Sequence, residues 1–366
     1  MHKTSTHLAD GRDLIYFDRR DIAREVPPDL RDLGRRPGAS EPRFDLRTGD
    51  WVVVADHRQD RSFQPTANDC PLCPTRPDRP TEVPAADYEV VVFENRFPAL
   101  STPSGLAGTE RLSSPVVPPE PLWSASGGGR CEVICFSSQH DASFADLKPD
   151  QARLVLDAWA DRTDDLSRRD GVAQVYCFEN RGAEIGVTQP HPHGQIYAYP
   201  YLTPRTSHML ERARAYRSAT GANLFDDLVA AEAAAERVVA RNDDWIAFVP
   251  FAARWPYEVH VYPSRRRRDL TDLDDGERDA FVTLYLDLLA RFDRLFVAPA
   301  PYISAWHQAP RLEPGAAEFA LHLELFTNRR SDTKLKVMAG TEAGMDSFSN
   351  DISPEKAADR LREIGG

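Results

Sequence analysis

Residues 189–200, Gln-Pro-His-Pro-His-Gly-Gln-Ile-Tyr-Ala-Tyr-Pro, constrain this chain more than any other stretch. In extended backbone alternate side chains share a face, so His191, His193 and Gln195 project together. The Ile-Tyr-Ala-Tyr run that follows reads as a strand, and the Gly-Val-Thr-Gln-Pro before it reads as a loop. A row of three polar groups is therefore expected where a loop enters a sheet, a place that holds side chains rigidly and still meets solvent. A pair of loop histidines without a duty is the plain alternative, and the spacing together with its glycine argues against it.

The 366 residues leave room for one large or two ordinary domains, each able to bury a core. A net charge of -12 argues against a general nucleic-acid binder, which needs basic surface to meet phosphates, but leaves a small phosphorylated ligand open. The first forty residues hold no apolar run of signal-peptide type and nothing later approaches membrane-spanning length, so the expectation is a cytoplasmic protein with no membrane partner. Five cysteines, two of them in Cys-Pro-Leu-Cys, suit a metal or free thiols in a reducing compartment better than a disulfide framework.

Between Arg43 and Pro65, a Thr-Gly-Asp turn leads into a short strand, Trp51 to Ala55. Arg58 and Arg61 follow it; arginine suits bidentate recognition of phosphate, though two solvated surface arginines would look the same. Cys70 and Cys73 bring two thiolates to the separation that one tetrahedral zinc needs and supply half of its ligands. Their flanking prolines disfavour a redox motif at a helix start. A strand and turn from Tyr88 give way to a Ser-, Pro- and Gly-rich stretch reaching Arg130, the candidate for a mobile loop. "CEVICFSSQH" reads as a strand ending on His140, with Cys131 and Cys135 as packing residues. Pro149 opens a helix through Arg168, and a further strand ends at Asn180 before Gly182 and Gly186, where backbone can approach a ligand closely.

After Pro204 the composition predicts helices near 206–218 and 224–241, and then the earlier order returns. "DWIAFVPFAARWPYEVHVYP" parallels the strands around "VVVFENRFPAL" and "CEVICFSSQH". "DLTDLDDGERDAFVTLYLDLLARF" parallels "SFADLKPDQARLVLDAWADR", and "FALHLELFTN" parallels "HPHGQIYAYP". The chain is an internal duplication, with 1–204 as the N-terminal domain and 205–366 as a diverged C-terminal one. Each copy has too few strands to close a barrel, so the expected fold is α+β, two units joined in one mostly antiparallel sheet with helices outside. His322, Leu323 and Glu324 stand where His191, Pro192 and His193 stand in the first copy. The chain closes on a helix capped by Ser353 and opened by Pro354.

"FENRGAEIGVTQPHPHGQIYAYP", with "DWVVVADHR", "CPLC", "CFSSQH", "VPFAARWPYE" and "AWHQAP", resembles the galactose-1-phosphate uridylyltransferase family, a branch of the histidine-triad superfamily, in register from about residue 43 to the C-terminus. The resemblance implies a duplicated histidine-triad-like fold and a nucleotidyltransferase of galactose metabolism, the Leloir pathway. Such an enzyme exchanges UMP between UDP-glucose and galactose 1-phosphate by a ping-pong route through a uridylyl-histidine, giving UDP-galactose and glucose 1-phosphate. By motif position His193 is the nucleophile, and Gln195 donates to the nonbridging phosphoryl oxygens. A backbone hydrogen bond on the other ring nitrogen of His193 would fix the reactive tautomer.

The same register makes Cys70, Cys73, His140 and His191 the ligands of one structural zinc. Arg58, Arg61, Asn95, Asn180, Gly186 and Thr188 fall at uridine and phosphate contacts. Lys336 and Glu342 fall on the sugar-phosphate side, which the opposite subunit of a homodimer helps to build. Relatives with a second metal use more histidines and a glutamate in the C-terminal copy. Here His307 and His322 persist beside Glu324, with Met209 at the glutamate position, so no second metal is expected to be held firmly. "AGMDSFSND", after Glu342, leans toward relatives that include ADP-glucose phosphorylases. That keeps open a nucleotide-sugar phosphorylase using the same histidine with phosphate as acceptor. A non-catalytic nucleotide-binding module is disfavoured by the retention of both His193 and Gln195.

Overall fold

The computed structural model describes residues 1–21, 24–34, 40–60, 65–102, 110–311 and 313–365. Strands β1 (His2–His7) and β2 (Asp13–Asp18) come first, then a separate hairpin of β3 (Glu41–Asp45) and β4 (Asp50–Val54). The first copy of the duplication follows as β5 (Val90–Glu94), β6 (Arg130–Cys135), α1 (Pro149–Ser167), β7 (Gln174–Arg181) and β8 (His193–Tyr199). Helices α2 (Pro204–Thr220) and α3 (Leu224–Ala233) and strand β9 (Val238–Arg241) lead to the second copy. That copy is β10 (Trp245–Phe248), β11 (Tyr257–Pro263), α4 (Asp275–Arg294), β12 (Tyr302–His307) and β13 (His322–Thr327). A small hairpin, β14 (Arg329–Ser331) with β15 (Lys334–Leu335), and helices α5 (Gly340–Met345) and α6 (Pro354–Gly365) complete the chain.

Eleven strands form one sheet in the order β1-β2-β5-β6-β8-β7-β12-β13-β11-β10-β9, antiparallel throughout. Outward from the central pair β7 and β12, the succession β8, β6, β5 on one side is repeated by β13, β11, β10 on the other. The duplication expected from sequence thus becomes a pseudo-two-fold sheet, and neither copy needs to close on itself. Strand alternation sends Ile134, Cys177, Ile196, Val259 and Leu323 to one face, where they pack with Trp159 of α1 among other helix residues. The helices α1 and α4 are clasped by Arg153 on Asp275 at 2.5 Å and Arg278 on Asp157 at 2.8 Å.

The opposite face differs between the halves. On the N-terminal half Val133 and Cys135 pack with Cys70, Leu72, Cys73 and Tyr88, so the loop carrying the cysteine pair is laid directly on the sheet. On the C-terminal half α2 and α3 cover Phe248, Tyr262 and Phe319.

Four expectations need correction or completion. The helix expected over 224–241 stops at Ala233, and Val238–Arg241 is an edge strand. Buried Glu232 accepts from the Phe251 amide at 2.9 Å and pairs with Arg237 at 2.7 Å, which turns the chain, and the Val238-Val239 pair favours strand over helix. The strand expected to run to His140 ends at Cys135, because the backbone beyond it turns to present the Ser137 carbonyl to His191. Of the stretch expected to be mobile, 103–109 lie outside the described residues, while Leu112 and Trp123 are tied by backbone bonds to Pro200 and Phe44. Strands β1 and β2 were not anticipated: His-Lys-Thr-Ser-Thr-His has no apolar face of its own and becomes a strand only by pairing with β2.

A buried ion pair fastens α1 to β6, the strand beside β8. Arg162 grips Glu132 through two bonds of 2.8 and 3.0 Å, with both side chains about 1% exposed. Burial opposes the charge on Glu132, yet Arg162 and Arg130 hold its carboxyl below the ordinary range. Removing one partner strands the other charge in the core. We expect Arg162→Met to lower unfolding free energy by roughly 3–5 kcal/mol in urea titrations; a change below about 1 kcal/mol would mean the pair contributes only as an exposed one does.

Candidate active site

Between β7 and β8 the chain makes a tight excursion whose geometry needs glycine at two points. Gly182 has φ +102°, and a Cβ there would lie 2.6 Å from Pro301 Cβ; Gly186 has φ +83° and ends the turn Ala183–Ile185 in the left-handed region. The C-terminal hairpin holds this turn from outside, through Asn328 Nδ2 on the Glu184 carbonyl at 3.1 Å and an ion pair between Arg329 and Glu184. The chain then runs through Thr188 and Gln189 to His191. Pro192 accepts a backbone bond from Phe136 at 3.1 Å, which extends the β6–β8 ladder, and His193 enters β8 opposite Cys135.

His193 Nδ1 lies 2.7 Å from the carbonyl oxygen of His191. A carbonyl can only accept, so Nδ1 carries a proton, and in the neutral ring the lone pair is then on Nε2. Gln195 follows on the same face, with its Oε1 taken by the Tyr197 hydroxyl at 3.3 Å, an arrangement that turns the amide nitrogen elsewhere. His193 lies where two cavities meet. One is lined by Asn95, Thr188, Gln189, Gln195 and the rings of Phe93 and Phe97. The other is lined by Glu179, Asn180, Arg181 and Gln189, among others.

Behind the nucleophile candidate, Cys70, Cys73, His140 and His191 bring their ligand atoms within 4.8 Å of one another. Cys73 Sγ is 3.4 Å from His140 Nδ1 and 3.6 Å from His191 Nδ1. The far nitrogen of His191, Nε2, donates to the Ser137 carbonyl at 2.9 Å and lies 2.7 Å from the Tyr88 oxygen, whose own proton goes to the Leu72 carbonyl at 3.0 Å. Nδ1 is therefore the unprotonated nitrogen, turned toward the thiols as metal ligation requires. Burial pushes the His191 ring down to about 3, so it is neutral.

The remaining expected site residues separate into groups. Asn95, Thr188 and Gln195 line the first cavity and Asn180 the second, each together with His193. Gly186 sits in the turn just before Thr188. Arg58 lies in the turn Asp56–Asp60, whose His57 ring bonds the Pro98 carbonyl at 2.9 Å, and is not among the residues lining these two cavities. Arg61 lies outside the described residues. Lys336 and Glu342 meet each other at 3.7 Å, and Lys336 also bonds the Arg254 carbonyl at 2.9 Å; neither lines the cavities beside His193. Sequence reasoning passed over Tyr88, Ser137, Glu179 and Gln189. Only Gln189, inside the motif, carried a local signal.

The second copy holds a different cluster. His307, His322 and Glu324 lie within 4.8 Å of one another, as do Glu258, His260 and Glu324. His322 Nδ1 donates to the Ala320 carbonyl at 2.9 Å, two residues upstream, as His193 Nδ1 does to His191. In this bond His322 resembles His193, although the sequence correspondence pairs it with His191. Glu324 receives Arg205 at 2.6 Å. Burial opposes its charge, but His307 and His260 hold its carboxyl well below the ordinary range. A guanidinium thus already compensates the carboxylate that a metal would need.

A family described as galactose-1-phosphate uridyl transferase, N-terminal domain, matches residues 32–203, and its C-terminal domain counterpart matches 209–365. The chain is 49% identical to the galactose-1-phosphate uridylyltransferase of Streptomyces lividans over 100% of this chain and 98% of that one. It is 34% identical to that of Thermotoga maritima over 88% and 98%. It is also similar to a solved uridylyltransferase structure, at 32% identity and a TM-score of 0.75, covering 89% of this chain and 98% of that one.

The Arg205 arrangement generates a metal prediction. Arg205→Ala should leave His307, His322 and Glu324 without their internal cation and raise tightly bound metal by one ion per chain over wild type, read by elemental analysis after dialysis against zinc and then metal-free buffer. Equal metal contents in the two proteins would show that the guanidinium does not keep this cluster closed.

Proposed function

The chain belongs to the galactose-1-phosphate uridylyltransferase family, and from that membership we propose that it passes UMP from UDP-glucose to galactose 1-phosphate through a uridylyl group carried on His193. The observation that carries the reading is the 2.7 Å bond from His193 Nδ1 to the His191 carbonyl, which puts a proton on Nδ1 and so makes Nε2 the nucleophilic nitrogen of the neutral ring. In the first half-reaction Nε2 bonds the α-phosphorus of UDP-glucose while the bond from that phosphorus to the bridging oxygen breaks. Glucose 1-phosphate departs with the electron pair. In the second, a phosphate oxygen of galactose 1-phosphate takes the phosphorus, the nitrogen–phosphorus bond breaks, and the imidazole returns to its neutral form. The Gln195 amide donates to the nonbridging oxygens as negative charge builds there.

Asn95 and Thr188 hold the uridine side, with Arg58, Arg61, Asn180 and Gly186 as further uridine and phosphate contacts. Lys336 and Glu342 serve the sugar phosphate of a second copy's site. The working enzyme is then a homodimer, with 1–204 as the catalytic domain and 205–366 as its diverged repeat. Cys70, Cys73, His140 and His191 hold one zinc. Two thiols and two imidazoles suit that ion, and four protein ligands make its site structural. When bound, the ion supplies a fixed anchor for His191 and no reacting atom. The cytoplasm suits five buried free thiols, and among the described residues no helix is long and apolar enough to cross a membrane.

His193→Asn should fold with an unchanged unfolding midpoint and lose transfer by several orders of magnitude, since only binding and electrostatic terms remain. Rapid quench of wild type with radiolabelled UDP-glucose should place the label on His193; near-normal turnover in the variant would end the assignment. The acceptor is tested separately. Galactose 1-phosphate should discharge the labelled enzyme far faster than inorganic phosphate, and efficient discharge by phosphate would turn the reading to a phosphorylase.

A further inference from the structure

Thr188 and Gln189 both line the cavity beside His193, yet among the described residues neither makes a hydrogen bond to the rest of the chain, and Gln189 Oε1 is buried without a partner. Where they stand is therefore set by what holds the two ends of the segment 187–190. One end is His191, whose ring is fixed by the Ser137 carbonyl. The other is the turn Ala183–Ile185, whose backbone bonds are internal. Ile185 and Val187 donate to the Gly182 carbonyl at 3.2 and 3.4 Å, and Gly186 donates to the Ala183 carbonyl at 2.9 Å.

A turn bonded to itself and flanked by two left-handed glycines is free to move as a unit. What stops it comes from the second copy. Asn328 Nδ2 donates to the Glu184 carbonyl at 3.1 Å, and Arg329 pairs with the Glu184 carboxylate. Among the described residues, these are the side chains outside the turn that bond to Ala183, Glu184 or Ile185. Both are mounted on a rigid post. The Arg329 amide donates to Oγ1 of fully buried Thr327 at 3.0 Å, its Nη1 reaches the Ala298 carbonyl at 3.4 Å, and the guanidinium lies over the Phe296 ring at 5.8 Å. The Asn328 carbonyl receives the Lys336 amide at 2.6 Å, and Asp332 Oδ1 receives the Val297 amide at 2.8 Å. The Arg329 side chain is 11% exposed and that of Glu184 34%, so the pair is partly shielded from solvent and salt.

We propose that Arg329 and Asn328 are positioning residues for uridylyl transfer: latched onto Glu184, they hold the turn so that Thr188 and Gln189 stand beside His193 before the nucleotide sugar arrives. Neither touches the reacting atoms. The latch acts through preorganisation. A turn that adopted the competent arrangement about a tenth of the time would bind UDP-glucose about tenfold more weakly, and the step from the bound state would be unaltered. The inference rests on the uridylyl-transfer reading, which puts UDP-glucose in these cavities, and the test separates the two.

Formation of the uridylyl-enzyme is followed by rapid quench across a range of UDP-glucose concentrations. Arg329→Ala and Glu184→Ala should each raise the half-saturating UDP-glucose concentration about tenfold and leave the limiting rate within about twofold of wild type. The double variant should lose no more than either single one, because both remove the same contact. Arg329→Lys, whose ammonium can still meet Glu184, should recover most of the loss. Glu184 lies on the surface, so Glu184→Ala should keep the wild-type thermal midpoint and carries the test even where Arg329→Ala disturbs the hairpin. Failure of wild type to form the uridylyl-enzyme would sink the transferase reading itself. A uridylyl-enzyme that saturates at the wild-type UDP-glucose concentration in Glu184→Ala, or losses that add in the double variant, would overturn the latch alone.

Discussion

The carbonyl of His191 holding the ring of His193 is the contact on which the rest of the site depends. The same residue has its Nδ1 beside Cys73 and its Nε2 proton on the Ser137 carbonyl. Tyr88 closes the circuit, lying against His191 Nε2 and donating to Leu72, which stands between the two cysteines in sequence. Burial keeps the His191 ring neutral, and the Ser137 carbonyl, which can only accept, fixes its proton on Nε2 and leaves Nδ1 for the thiols. The candidate metal cluster and the nucleophile candidate are thus successive constraints on one short piece of backbone, and a displacement of either would be felt by the other.

That piece of backbone is held from two sides by the sheet. β6 and β7 flank β8, so His193 enters a strand already paired on both edges. The excursion before it is clipped by Asn328 and Arg329 from the second copy. The pseudo-two-fold arrangement puts β7 next to β12, and it is β12 that supplies Tyr302 to Glu179. A site whose motif lies wholly in the first copy therefore leans on the second for both its loop and its cavity wall. Association of the copies in one sheet is what makes the motif's geometry available.

What was legible in the sequence is what local pattern encodes. The alternation of His191, His193 and Gln195, the duplication, and the four-residue cysteine and histidine set all appear where the motifs implied. Contacts made only by tertiary pairing were not legible. Glu179 reads as one more residue before Asn180, and nothing nearby in sequence says that Tyr302, far along the chain, will meet it. Tyr88 reads as the start of a strand and becomes a partner of His191 because the cysteine loop folds back over that strand. The polar strand β1 and the early end of α3 are failures of the same kind: pairing with β2 decides the first, and the bonds of Glu232 to Arg237 and Phe251 decide the second.

The two copies also show that orientation alone does not make a nucleophile. His322 repeats the bond of His193 to the carbonyl two residues upstream, so both rings carry a proton on Nδ1. The environments then diverge. His193 is half-buried and opens on two cavities. His322 is 1% exposed, stacked between Tyr262 at 4.7 Å and His307 at 4.9 Å, with Nε2 facing Glu324 at 3.6 Å. Burial pushes it down to about 4, so it is as neutral as a nucleophile must be, yet no phosphorus could approach through that stack. Arg205 lies over Glu324 and gives the cluster its counter-charge from within the chain. The same ring-to-carbonyl geometry lies in a closed, charge-compensated core in one half, and in the other the loops keep the strand entrance open, so that the histidine lines ligand-sized space.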